Sequence, residues 1–148
     1  MIQLIFFSDS GWTGVILRLT LGFIMLPHGM QKMFGFYGGS GFKPTLTYFT
    51  NILNIPWIIS FLVIIIEFFG SLALIAGFGS RIAALLFLAI MSGAIITTNY
   101  SHGFFMNWFG HQKGEGFEYH LLVAGICIAL LITGSGNYSI DWLIAATS

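Results

Sequence analysis

Ionisable residues sit where this chain is otherwise apolar. Glu67 stands near the middle of WIISFLVIIIEFFGSLALIAG (57–77), a stretch long enough to cross a bilayer. Left facing lipid, a carboxylate at that depth would cost about 2.5–3.5 kcal/mol on insertion scales. It must therefore point into a protein interior, be neutralised or find a cation. Arg18, inside a second apolar stretch, is the expected cation. By helical rise, Arg18 lies ~9 Å in from Trp12 and Glu67 ~15 Å in from Trp57, a gap that a long arginine can close. Arg18, Gly22, Met25, Gly29 and Met33 share one helical face, and Glu67, Gly70 and Leu74 share another. Two glycines on the arginine's face allow a close helix approach. An Arg18–Glu67 pair would form a buried centre. A salt bridge that only fixes helix pairing accounts for the same residues equally well.

A second cluster belongs to the opposite end of the same segments. His28 is ~9 Å in from Phe34, with Lys32 one turn nearer the surface. Glu118 and His120 open the last apolar segment, after Glu115, and the loop before it carries His102, Trp108 and His111. Glu118 and His120 are two residues apart, about 200° around a helix, so both cannot face inward. Glu118 is the expected inward residue, because a carboxylate facing lipid is the costlier arrangement. The candidate catalytic residues are thus Glu67, Arg18, His28 and Glu118, and the candidate cofactor-binding residues His28, Lys32, Trp108 and Glu118. A quinone needs an apolar slot, hydrogen-bond donors for its carbonyls and a proton route; histidine and carboxylate at the membrane edge supply the last two. Bis-histidine haem on His28 and His120 would need both rings inward, which conflicts with an inward Glu118. No H-x-x-x-H pair exists, His102 and His111 are loop residues, and no metal is expected. Each histidine is also explicable as an interfacial residue with nothing bound.

The surrounding composition sets the class. Of 148 residues, 57% are hydrophobic and 7% charged, with mean hydropathy +0.92. Soluble domains carry roughly a quarter charged residues, so lipid must be the solvent over most of this surface. Five basic and five acidic residues leave no net charge and no basic stripe, so nucleic acid is not an expected partner. The single cysteine, Cys127, excludes an internal disulfide, a CxxC pair and a cysteine-ligated iron–sulfur cluster supplied by this chain alone. It reads as a small buried hydrophobe. The first ten residues lack a basic n-region and no small-residue cleavage site follows, so the segment is expected to be retained.

The expected fold is all-α: a transmembrane four-helix bundle forming a single membrane domain, with spans at about 12–34, 57–77, 80–100 and 116–134. Each span must be helical to satisfy its own backbone in lipid. Gly77-Phe78-Gly79-Ser80 is a tight hairpin, with a helix-ending glycine and Ser80 as N-cap, which makes spans two and three antiparallel neighbours. Between spans one and two, Leu46, Phe49 and Leu53 suggest a short interfacial helix over 44–53, with a plain loop as the alternative. Pro56 suits the first position of span two. The loop SHGFFMNWFGHQKGE carries an aromatic belt and is expected to fold back over the bundle. With an even number of spans both termini share one side, A, and the long loops share the other, B. Lys32, Lys43 and Lys113 lie near B and Arg81 near A, which favours B in the cytoplasm.

RLTLGFIMLPHGMQKMFGF resembles the R-x-x-L-G-x-x-x-x-x-H-G-x-x-K signature of the DoxX family of small four-helix membrane proteins. EFFGSLALIAGFGSRIAALL resembles that family's second signature, and GFEYHLLVAGICIALLITGSGNYSIDWLI its last helix and Ser-x-Asp ending. Ser71 departs from the pattern, standing where a second glycine often follows. The resemblance implies a multi-pass inner-membrane protein and carries over to Arg18, His28, Gly29, Lys32, Glu67, Gly70, Arg81, Glu118, Ser139 and Asp141. Members are similar to the membrane subunit of a thiosulfate:quinone oxidoreductase, and others are linked to a membrane complex handling thiols and superoxide stress.

The leading expectation is an integral membrane subunit of a quinone-linked oxidoreductase system. It would need a redox partner protein carrying flavin, haem or thiols. A carrier or pore for protons or a small solute, and a scaffold that recruits partners, are the alternatives. Membrane lipid is the implied surround, and glycine faces invite a homodimer.

Overall fold

The computed structural model describes residues 11–147. The expected retention of the first ten residues lies outside them. The described chain is helical with no strand. Helix α1 is Trp12–Phe34 and ends at Gly35, whose left-handed φ of 77° lets its N–H return to the Gln31 carbonyl. Helix α2, Phe42–Thr47, continues as a π-helical turn over Tyr48–Ile52. This is the expected interfacial helix, begun two residues early. Helix α3 is Trp57–Ala76 and α4 is Ser80–His102. Helix α5 is Glu118–Thr133 and α6 is Ile140–Thr147.

Three of these, α1, α3 and α4, are long and apolar enough to cross a membrane. Helix α5 is apolar but has 16 residues, ~24 Å of rise, somewhat short of a hydrocarbon core of ~30 Å. The four pack as one bundle: α4 lies along α5, and α1 lies against both α3 and α5. Leu21, Leu74, Phe87, Cys127 and Leu130 are fully buried between them. These residues belong to one buried hydrophobic cluster, so apolar packing fills the middle of the bundle.

The α3–α4 hairpin closes as its glycines predict. Gly77 is left-handed at φ 69°, and the Phe78 N–H reaches the Ala73 carbonyl at 2.9 Å. Ser80, however, is the first helical residue rather than the cap. The cap comes from Asp141, whose Oδ1 accepts from the Gly79 N–H at 2.7 Å and whose Oδ2 accepts from the Ser80 N–H at 3.0 Å. A carboxylate accepts both bonds and offsets the helix dipole, which a hydroxyl does less well. Pro56 likewise precedes the helix, with ψ at 139°, and Trp57 is its first residue.

The register of α1 on α3 is set by glycine. A Cβ on Gly29 would lie 2.7 Å from the Phe68 Cα, and one on Gly22 would lie 2.7 Å from Ile75 Cγ1. Backbones meet at these two points, as the shared face of α1 predicts.

Candidate functional site

The expected Arg18–Glu67 pair does not form. Both side chains are buried, each 3% exposed, but at different levels. Arg18 belongs to side A. Its Nε donates to the Ser135 carbonyl at 3.0 Å, Nη1 to the Ile75 and Leu74 carbonyls at 2.6 and 3.2 Å, and Nη2 to the Tyr138 carbonyl at 3.0 Å. The guanidinium therefore satisfies carbonyls at the end of α3 and ties them to the turn after α5. Asp141 supplies the opposite charge nearby and is held by the Ser135 hydroxyl as well as by the cap of α4. Arg18, Ser135, Ser139 and Asp141 make a closed, buried polar lock. Its donors and acceptors are used up on the chain itself, so it offers a ligand nothing.

Glu67 pairs instead with Lys32, whose Nζ donates to Oε2. The reason is the glycine register. Gly29 rests on Glu67 and Phe68, so Lys32, three residues on, reaches Glu67 on the same side. Helix α1 ends deeper than α3 begins, so depths counted from Trp12 and Trp57 do not share an origin.

The backbone around Glu67 is unusual. Residues Ile66–Gly70 form a π-helical turn inside α3. Such single-turn bulges widen the helix, re-aim the side chains they carry and recur at functional sites. The hydroxyl of Ser71, the residue that departs from the glycine pattern, donates to the Glu67 carbonyl at 2.5 Å. This bond to the carbonyl four residues back satisfies the buried hydroxyl within its own helix.

The Lys32–Glu67 pair borders a cavity of about 720 Å³ on side B. Its walls come from α1, α3, α4, the start of α5 and the interfacial α2 with the turn that follows it. They are apolar except for Lys32, Glu67, His28, His120, Tyr48 and Asn54, and a few amide and hydroxyl groups at the end of α4. His28, Lys32 and His120 lie within electrostatic reach of one another. Tyr119 packs beside both imidazoles, 6.1 Å from His28 and 5.6 Å from His120 by ring centroids. Its hydroxyl points to the Met25 sulfur at 3.5 Å. The buried Nδ1 of His120 has no hydrogen-bond partner among the described residues.

Several expected members are elsewhere. His120, not Glu118, faces the cavity. Glu118 accepts from Trp108 Nε1 at 3.0 Å, and neither residue borders the cavity. The buried stripe of α5 is Val123, Cys127 and Leu130. Extended back by three it reaches His120, so the 3–4 spacing was the available signal. His102 packs over Gly114, and His111 stacks on Phe109 with centroids 6.5 Å apart. The aromatic loop folds on itself: Asn99 Nδ2 donates to the Glu115 carbonyl, and the Phe117 and Glu118 N–H groups return to Gly103 and Phe104. It leaves Phe105, Trp108 and Phe109 exposed and does not roof the cavity. Among the described residues, no group of three His, Cys, Asp or Glu side chains is arranged to hold a metal ion.

Comparison with known proteins places this arrangement. The DoxX family profile matches residues 14–100, a span holding Arg18, His28, Lys32 and Glu67. A Bacillus subtilis protein named "Putative oxidoreductase CatD" is 31% identical over 127 residues, covering 86% of this chain and 83% of the relative. An Escherichia coli protein named "Inner membrane protein YqjF" is 26% identical over 132 residues, covering 88% of this chain and 90% of the relative. No solved structure matches the chain. The sequence signatures, the long apolar helices and the family match agree: this chain is a membrane protein and belongs to the DoxX family.

Proposed function

We propose that the chain is a multi-pass inner-membrane subunit of a quinone-linked oxidoreductase system, with the side-B cavity as its quinone site. The carrying observation is the Lys32–Glu67 pair at the wall of an otherwise apolar cavity, flanked by His28 and His120. Small-molecule sites are mostly apolar slots of ~300–1,000 Å³ with a few converging polar groups, and this cavity has that character. Lys32 Nζ and the ring nitrogens of His28 and His120 are the donors that would hold two ring carbonyls. A quinone, when bound, supplies an acceptor of two electrons and two protons.

The chain's own part is binding and proton handling. Glu67 gives Lys32 a partner at a depth where an isolated ammonium would be costly. Lys32 is only partly buried, at 26% exposed, and lines the cavity. His120 lines the cavity, and an imidazole can accept or donate a bond at the ligand. Electrons must come from a partner protein carrying flavin, haem or thiols, because Cys127 is fully buried in the bundle core. A relative's name, "Putative oxidoreductase CatD", points the same way for that protein. The buried hydrophobic cluster between the helices favours a ligand site over a carrier or pore.

The test is direct titration of purified protein with decyl-tailed ubiquinone and menaquinone analogues. Saturable binding that weakens at least tenfold in Lys32→Met supports the reading. Absence of binding to the wild-type chain overturns it. A Soret band in the purified protein would replace it with haem on His28 and His120, both of which border the cavity.

A further inference from the structure

We infer that the cavity is entered sideways, from the bilayer, through a cleft between α3 and α4, and that its ligand is a long-tailed, lipid-dissolved compound whose tail stays in that cleft. This rests on the proposed ligand site and adds the route and the ligand class.

The cleft follows from how α3 is divided. Its second half, from Ile66, packs against α4, and the tight hairpin at Gly77–Gly79 holds the two together there. Helix α1 runs along both halves, but the first half, Trp57–Ile65, has the interfacial α2 as its second neighbour in place of α4. The π turn at Ile66–Gly70 lies at the change of partner. A bulge that re-aims half a helix is the physical cause of such a divergence. The side-B halves of α3 and α4 thus leave a wedge between them, and both faces of that wedge line the cavity.

The wedge has the surface of an acyl channel. On α3 it shows Ile59 and Leu62, and on α4 Leu86, Ile90 and Gly93. Ile59, Leu62 and Leu86 remain 48%, 44% and 38% exposed. In a chain whose surround is hydrocarbon, such exposure is to lipid tails. The charged and imidazole groups come from α1 and α5 and from Glu67, and the uncharged polar ones from the end of α4 past Gly93 (Thr97, Thr98, Asn99) and from Tyr48 and Asn54. A ligand with a polar head at Lys32 and His120 and an apolar tail at Leu62 and Leu86 matches this division, whereas a small water-soluble ligand leaves the wedge unused. Gly93 is the residue that keeps it open. A side chain added there meets no atom within 4 Å, so glycine at this point serves neither close packing nor a turn.

Gly125 of α5 gives the matched control. A Cβ there also meets nothing within 4 Å, and Gly125 does not border the cavity. The experiment compares a quinone with a decyl tail and the same ring without a tail, binding to wild type, Gly93→Phe and Gly125→Phe in lipid nanodiscs. Expected is a loss of tenfold or more for the tailed compound in Gly93→Phe, a change under threefold for the tail-less ring, and no change for either compound in Gly125→Phe. Equal loss of both compounds in Gly93→Phe, or no loss of either, overturns the side entry while leaving the quinone site standing. If neither compound binds wild type, the site itself fails. A decyl-tailed quinone with a diazirine at its tail end gives a check free of substitutions. Its cross-links should fall on α3 and α4 between Ile59 and Thr97; cross-links confined to 103–117 would refute the cleft.

Discussion

Gly29 of α1 lies against the backbone of Phe68 in α3, and this contact decides which cation Glu67 meets. Arg18 and Lys32 share one face of α1, fourteen residues or ~21 Å apart. Sliding α1 along α3 would bring either toward the carboxylate. The clasp of Gly22 on Ile75 and Gly29 on Phe68 fixes Lys32 there and leaves Arg18 for the carbonyls at the end of α3. One polar cluster is consequently structural and the other faces a cavity.

Gly29→Ala should be far more damaging than its one methyl suggests. The new Cβ would lie 2.7 Å from both Phe68 N and Phe68 Cα, and backbone cannot step aside as a side-chain tip can. A thermal melt in detergent should show a fall corresponding to about 1–3 kcal/mol, the usual range for overpacking. Gly125→Ala, with open space around it, should melt like wild type.

Arg18→Met should unfold side A without touching the ligand site. It strands the carbonyls of Ser135, Leu74, Ile75 and Tyr138 and leaves Asp141 buried without its cation. Loss of one partner from a buried charged network costs about 3–5 kcal/mol. Asp141→Ala removes the α4 cap and should cost at least the ~1 kcal/mol typical of a cap. Protein of either variant that stays folded should bind quinone with wild-type affinity. A selective loss of binding would return Arg18 to the site.

His120 and Glu118 should separate cleanly. His120→Phe keeps the ring volume, removes the imidazole nitrogens from the cavity wall and should weaken ligand binding about tenfold, the worth of one hydrogen bond. Glu118→Gln should leave binding unchanged. It alters instead the acceptor of the Trp108 indole, 3.0 Å away, so tryptophan emission should shift. The opposite pattern would restore Glu118 as the inward residue.

Much of the helical frame is legible from composition and punctuation. Trp12–Phe34 and the start of α3 at Trp57 coincide with the expected bounds, because apolar length and flanking glycine or proline mark them directly. The close face of α1 is legible too, since Gly22 and Gly29 recur at seven. The partner of Glu67 is not. Helical spacing fixes which residues share a face but not the offset of one helix against another, and that offset selects Lys32 over Arg18. The cap of α4 is hidden for a related reason: Ser80 has the right type and place, yet Asp141, distant in sequence, arrives with the stronger acceptor. The π turn at Glu67 has no spacing signal of its own. His120 was within reach, as a backward extension of the Val123–Cys127–Leu130 stripe.

The most direct measurement is quinone affinity in a double variant, Lys32→Met with Glu67→Met. Replacing both partners removes the charges together, so the bundle should keep its melting temperature within a few degrees, as apolar replacements of buried pairs usually allow. Affinity for the decyl-tailed quinone should then fall at least tenfold in a protein that is still folded. Wild-type affinity in that folded double variant would contradict the account, for it would mean that the buried pair holds helices together and binds nothing.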